Sequence, residues 1–242
     1  MVFQMTTGRA TPPSYRVLSD YFTLVDPAIR ISQYALRPAK SVEYGKVDQP
    51  MLSHIRNGVW AMVELNVRLS EMGSDVALSP DELRETIALF AVHDLHKCVG
   101  EKWKEQFDLS AEYVHMVAAE FRLIEYAPAL TAKDYQSIAV ALHSTRGYHD
   151  DLSQKATDYL RWIKLADTLA SLERPQVSNS MLKDLDNVDP SLSFYYHRFQ
   201  ESTGILSNLV HTGIAEWAKK KGLHPFLIFE TGVLYVGPKG TN

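Results

Sequence analysis

The chain has a single cysteine, Cys98, in 242 residues. No internal disulfide can staple it, and its stability has to come from an apolar core. Its first residues lack the charged-then-apolar layout of an export signal, and no apolar run reaches the roughly 20 residues that span a bilayer. These absences set the expectation of a reducing, cytoplasmic location with no membrane partner. Basic residues are not in excess either: 25 Lys and Arg stand against 29 Asp and Glu, for a net charge of -4. Indiscriminate nucleic-acid binding needs the opposite balance, because the phosphate backbone rewards a basic surface, although a local basic track is compatible with these totals. Internal repeats and low-complexity tracts are also missing. What is present, 45% hydrophobic and 22% charged residues, suits one sizeable core, or one core with a small second module.

Most of the chain reads as helices separated by short polar breaks. The periodicity predicts helices over 14–36 with a break near Pro27, then 50–71, 80–97, 110–126, 131–145 and 154–173. In "SPDELRETIALFAVHD", Ser79 caps, Pro80 suits the first helical position, and Glu82 closes a capping box. Thr131 with Asp134 makes another cap. After Arg174 and Pro175 the texture changes. "QVSNSMLKDLDNVDPS" reads as loop, "LSFYYHRF" as a strand or packed extended segment, residues 203–221 as a helix, and "FLIFETGVLYVG" as two strands about a Thr231-Gly232 turn. The expected class is mainly α: a helical bundle domain over 1–175, then a connecting segment, helix and small C-terminal β-hairpin over 176–242. An isolated hairpin is marginal in water, and "GPKGTN" offers no closing element. The chain is therefore expected to be the front portion of something longer.

The chemistry-bearing residues begin at "AVHDLHKCVG", residues 91–100. Leu83, Ile87, Phe90 and Ala91 form an apolar stripe, and Asp94 continues it. A carboxylate at the buried end of such a stripe costs several kcal/mol unless it is paired, hydrogen-bonded or bound to a metal. Five groups on predicted helices can answer it: His54, His93, His115, His143 and Asp167. Asp167, with Leu160, Ile163 and Ala170, is a second acid on an apolar face. Two acids aimed into one core repel each other; a divalent cation between them reverses the sign, and neutral imidazoles complete its shell. The plainer alternatives are a salt bridge from Asp167 to Arg146 or Lys97, and for each histidine, His115 above all, a hydrogen-bonded core residue. His96, His149, His197, His211 and His224 are read as structural or exposed.

The order histidine, histidine-aspartate, aspartate, each on its own helix, resembles the HD superfamily of metal-dependent phosphohydrolases. The resemblance implies His54, His93, Asp94 and Asp167 as ligands; His115 and His143, from their helix positions, are further metal candidates. "HDLHK" resembles the family's HD-x-G-K string, with His96 where the glycine stands, and implies Lys97 near the substrate phosphate. Asp94, Lys97 and His143 are the catalytic candidates. "KSVEYGKVDQPMLSHIRNG", "ALFAVHDLHK" and "FYYHRFQESTGILSNLVHTGI" are similar to the N-terminal HD nuclease region of the large subunit of type I-D CRISPR effector complexes. That similarity implies a DNA substrate, single-stranded, with other subunits of the effector complex and, through them, a guide RNA as partners. Ser144 follows His143 where related nucleases carry a tandem histidine, so one or two ions remain open.

Phosphodiester hydrolysis by a metal-activated water is the chemistry expected, with Lys97 or Arg146 stabilising the extra charge on phosphorus. A histidine-rich shell favours manganese, nickel, cobalt or iron over magnesium. "RGYHDD" and "GEKWKEQF" bring basic and aromatic groups that can contact a strand or form ordinary loops. Two alternatives stand beside the nuclease: an HD enzyme acting on nucleotides or cyclic nucleotides, and a non-catalytic helical interaction module whose HD residues form buried salt bridges.

Overall fold

The computed structural model of the protein describes residues 11–40, 49–98, 109–141, 152–171, 179–198, 205–229 and 232–240. Its central element is α2 (Met51–Glu71), apolar on most of its circumference and buried accordingly, with α1 (Pro13–Ile31), α3 (Pro80–Val92) and α7 (Gln154–Ala170) packed around it. Around α3 lie α4 (Ala111–Glu120), the single turn α5 (Leu123–Tyr126) and α6 (Ala132–Ala141). The mainly α expectation holds.

Local chemistry explains where these helices start and stop. The capping box of α3 is formed as expected: Ser79 Oγ accepts from the Glu82 backbone N–H, and the Glu82 carboxylate accepts from the Ser79 N–H at 2.8 Å. Thr131 and Asp134 bond reciprocally in the same way. Three helices differ from expectation. The first does not break at Pro27, because Val25 and Ile29 are fully buried and Asp26 is gripped by both arms of Arg56 at 2.6 and 2.8 Å. One lost hydrogen bond is outweighed by that packing. The segment predicted as helix over 110–126 divides where Arg122 takes a positive φ of 59°. And α3 stops at Val92, with His93 as its C-cap and a tight 3-10 turn over Leu95–Cys98 following Asp94.

The C-terminal part needs larger corrections. The stretch read as loop contains α8 (Asn179–Val188): Leu182, Leu185 and Val188 recur every third residue and pack on the core, a stripe masked by the surrounding Asn, Ser and Asp. The expected hairpin is two strands of a three-stranded antiparallel sheet. β3 (Leu192–Arg198), β4 (His224–Phe229) and β5 (Gly232–Pro238) lie in the order β3-β5-β4, with Tyr195 opposite Tyr235 and His224 opposite Val236. The aromatic segment thus supplies the strand that a lone hairpin lacked. Phe194, Phe226, Leu234 and Val236 on one face join the same core as the helices, while Tyr235 on the other meets Ala218 of α9 (Ile205–Lys220).

A second, unforeseen sheet is a minimal ribbon, β1 (Pro38–Lys40) against β2 (Gln49–Pro50), with Lys40 opposite Gln49. It also starts α2. Pro50 at the N-cap has no side-chain bond to offer, and the Met51 and Leu52 N–H groups donate instead to the carbonyls of Arg37 and Ala35 at 2.8 and 3.1 Å.

Asn66 pins the far half of α2. Its Nδ2 donates to Ser14 Oγ and the Leu78 carbonyl at 3.1 and 3.0 Å, and its Oδ1 accepts from the Leu78 N–H at 2.7 Å, all at a buried position. Asn66→Leu keeps the branched heavy-atom layout but strands these partners. It is expected to destabilise the protein by about 2–3 kcal/mol, measured as a lowered urea midpoint at unchanged slope.

Candidate metal centre

Four groups at or just beyond the ends of three helices meet at one point. His54 lies in the first turn of α2, His93 caps α3, Asp94 follows it, and Asp167 sits in the last turn of α7. One ligand atom from each lies within 4.8 Å of all the others.

The histidines are oriented by bonds made behind them. His93 Nδ1 donates to the Phe90 carbonyl at 2.6 Å, and its ring stacks on the Phe90 ring with centroids 4.4 Å apart and planes 13° from parallel. His54 Nδ1 lies 3.2 Å from Gln49 Oε1, and the Gln49 amide donates its own N–H to the Ala170 carbonyl at 2.9 Å. That second bond fixes the amide, so its oxygen faces His54 and Nδ1 must be the donor. In both rings the proton is therefore on Nδ1, and both Nε2 lone pairs point inward.

Those two Nε2 atoms stand 3.4 Å apart. Asp167 Oδ1 is 3.1 Å from His54 Nε2 and 3.6 Å from His93 Nε2, while Asp94 places Oδ2 3.5 Å from the first and Oδ1 3.5 Å from the second. Facing acceptors repel unless a cation lies between them. Ligands about 2.1 Å from a shared ion at tetrahedral angles stand roughly 3.4 Å from one another, which is the spacing seen here. The donor set and its separations fit a metal ion.

Electrostatics keeps His54 and Asp167 in their ligating forms. Burial lowers the His54 pKa from its ordinary 6.5 despite the neighbouring acids, so the imidazole stays neutral. Burial pushes the Asp167 carboxyl the other way, but the neighbouring His54 and His93 rings and the charge of Lys40 together hold it well below the usual carboxylate range. Burial, with Asp94 adding to it, pushes the Cys98 thiol up to about 12.

Two lysines flank the acids. Lys97 Nζ is 2.5 Å from Asp94 Oδ2, and Lys40 Nζ is 2.9 Å from Asp167 Oδ1. Among the described residues, Asp167 thus pairs with Lys40 and not with Lys97. Lys40 was not expected, because nothing in "RPAK" signals a site; only the register of β1 against β2 brings it there. His115 is exposed on α4 and is not brought to the group, so the structure does not support it as a ligand. His96, expected to be structural or exposed, is buried in the turn that carries Lys97. His143, Arg146 and His149, with "RGYHDD" and "GEKWKEQF", lie outside the described residues. No helix among the described residues is long and apolar enough to cross a membrane. No protein-family model matches the chain, and a comparison with curated proteins finds no match either.

Proposed function

We propose that the protein is a metal-dependent phosphohydrolase that cleaves phosphodiester bonds, a nuclease of the HD type acting on single-stranded DNA in CRISPR interference. The observation that supports hydrolysis is the convergence of two inward imidazole lone pairs with two carboxylates. The DNA substrate, the effector-complex subunits and their guide RNA rest on the sequence resemblance.

A divalent cation held there supplies Lewis acidity and lowers the pKa of coordinated water towards about 7. His54 and His93 present neutral nitrogen, Asp94 anchors from a position sealed from solvent, and Asp167, a third exposed, is the carboxylate placed to orient the attacking water. Nitrogen and oxygen ligands in this ratio suit manganese, nickel, cobalt or iron better than magnesium. Charge matching favours an anionic substrate: the two acids and the two lysines cancel, and the imidazoles are neutral, so a divalent ion leaves positive charge for a phosphate to meet.

The lysine pairs are also what favours the non-catalytic alternative, since they balance the acids without a metal. They do nothing for the two Nε2 lone pairs facing each other at 3.4 Å. Chelator-stripped protein reloaded with single metals and assayed on labelled single-stranded DNA, duplex DNA, RNA and a nucleotide panel tests the proposal. Manganese, nickel, cobalt or iron should restore cleavage of single-stranded DNA where magnesium does not. Turnover of nucleotides alone would reassign the substrate, and an absence of bound metal by elemental analysis would overturn the hydrolase.

Metal-free stability should depend on pH in a defined direction. The His54 value is lowered on folding, so the contribution from its neutral form is present above about pH 6.5 and lost as pH falls through the lowered value. Asp167, also lowered, adds a further loss in the acid range below about pH 4. Urea midpoints measured in chelator should therefore fall on acidification from pH 7; a flat profile between pH 7 and 3 would contradict both assignments.

A further inference from the structure

The geometry points to Lys40 as the residue that binds the substrate phosphate beside the metal centre, released for that role when a cation takes over its contact with Asp167. The inference rests on the phosphohydrolase proposal above.

Asp167 Oδ1 is a shared atom. It accepts from Lys40 Nζ at 2.9 Å while facing His54 Nε2 at 3.1 Å and His93 Nε2 at 3.6 Å. The oxygen that completes the ligand set is thus held by an ammonium. A divalent ion seated among these atoms repels that ammonium and competes for the oxygen's lone pairs. Lys40 has a way out that Lys97 lacks. The Lys97 side chain is 9% exposed and tied to Asp94, which is 2% exposed; the Lys40 side chain is 18% exposed and its partner Asp167 33%. Among the described residues of the centre, Asp167 and Lys40 form its open side, and a substrate arriving from solvent meets them first.

The ribbon holds Lys40 at that mouth. Lys40 stands opposite Gln49, which orients His54 and bonds the Ala170 carbonyl, so one two-stranded element spans the ligand on α2 and the ligand on α7. β1 also packs on the turn that carries Lys97. The strand fixes the Cα, and the four-carbon stem lets the charge move from the carboxylate to a phosphoryl oxygen without moving the backbone.

A lysine that only held Asp167 in place and a lysine that binds phosphate differ in the sign of their effect on metal affinity. Calorimetric titration of Mn²⁺ into metal-free protein, followed by inorganic phosphate into the Mn²⁺-loaded protein, separates them in wild type, Lys40→Ala, Lys40→Gln and Lys40→Arg variants of matching circular dichroism. In Lys40→Ala and Lys40→Gln, Mn²⁺ should bind at least as tightly as in wild type, because a competing cation is gone, while phosphate binds roughly tenfold or more weakly. Lys40→Arg should recover most of the phosphate affinity. Mn²⁺ affinity reduced roughly 10–100-fold in the Ala and Gln variants, the mark of a lost ligand support, would overturn the inference, as would unchanged phosphate affinity. Wild type that binds phosphate through Mn²⁺ and Lys40 but hydrolyses no ester would leave Lys40 standing and remove the hydrolase. Wild type that binds no Mn²⁺ would remove both.

Discussion

Asp94→Ala is expected to reduce metal-dependent hydrolysis to background and, in chelator, to destabilise the protein by about 3 kcal/mol. The first effect follows from geometry: Asp94 offers an oxygen to each histidine face, 3.5 Å from His54 Nε2 and 3.5 Å from His93 Nε2, and no other described carboxylate besides Asp167 lies in the group. The second follows from Lys97. Removing a buried acid relieves a repulsion only if nothing depended on it, and here the Lys97 ammonium sits 2.5 Å from Asp94 Oδ2 with its side chain 9% exposed. Truncating the acid strands that charge, and an unpaired buried charge is what makes half a salt bridge costly. The double variant Asp94→Ala, Lys97→Met removes both and should regain most of the stability while staying inactive and metal-free. His93→Ala tests the site without stranding a charge, and should lose hydrolysis with the helical fold retained. Full hydrolysis in Asp94→Ala, in protein cleared of contaminating nuclease, would place the activity elsewhere.

The two acids of the candidate site were legible because each breaks a pattern. Asp94 and Asp167 are acids on apolar stripes, and an acid there demands a partner that periodicity alone can name only as another polar helix residue. The helices themselves followed from their stripes and caps, the Ser79–Glu82 box most directly. Lys40 and Gln49 broke no pattern. Each lies in a two- or three-residue strand, too short for any alternation to register, and their roles depend on a cross-strand pairing that local sequence does not encode. For α8 the obstacle was composition: a three-residue apolar spacing lay among turn-forming residues, and burial of Leu182, Leu185 and Val188 against the core decided the conformation. His115 failed for the converse reason, since a histidine at helical spacing is compatible with either face, and α4 turns it to solvent.

Gly58→Ala is expected to destabilise the protein and weaken its metal site together, although alanine is the better helix former. Gly58 lies one turn beyond His54 on α2, and a Cβ built there would come within 2.1 Å of the Phe90 ring atoms Cε1 and Cζ. α2 and α3 approach so closely at this point that the Phe90 ring rests on the helix backbone. The substitution gains about 1 kcal/mol in helix propensity. Against that, overpacking a filled core costs about 1–3 kcal/mol, and a contact this short around a fully buried ring belongs at the upper end. The net expectation is a loss of about 2 kcal/mol. The displaced ring cannot move alone: it stacks on His93, whose Nδ1 donates to the carbonyl of Phe90 itself, and it lies 5.9 Å from the His54 ring. Mn²⁺ affinity should therefore fall roughly tenfold, as when a ligand's outer support is lost. Phe90→Leu vacates the space that the new methyl group needs, so the double variant should be more stable than the sum of the single losses by at least about 1 kcal/mol. Equal stability and equal Mn²⁺ affinity in Gly58→Ala would mean that Phe90 yields freely, and that the stacking against His93 does not hold the ligand in place.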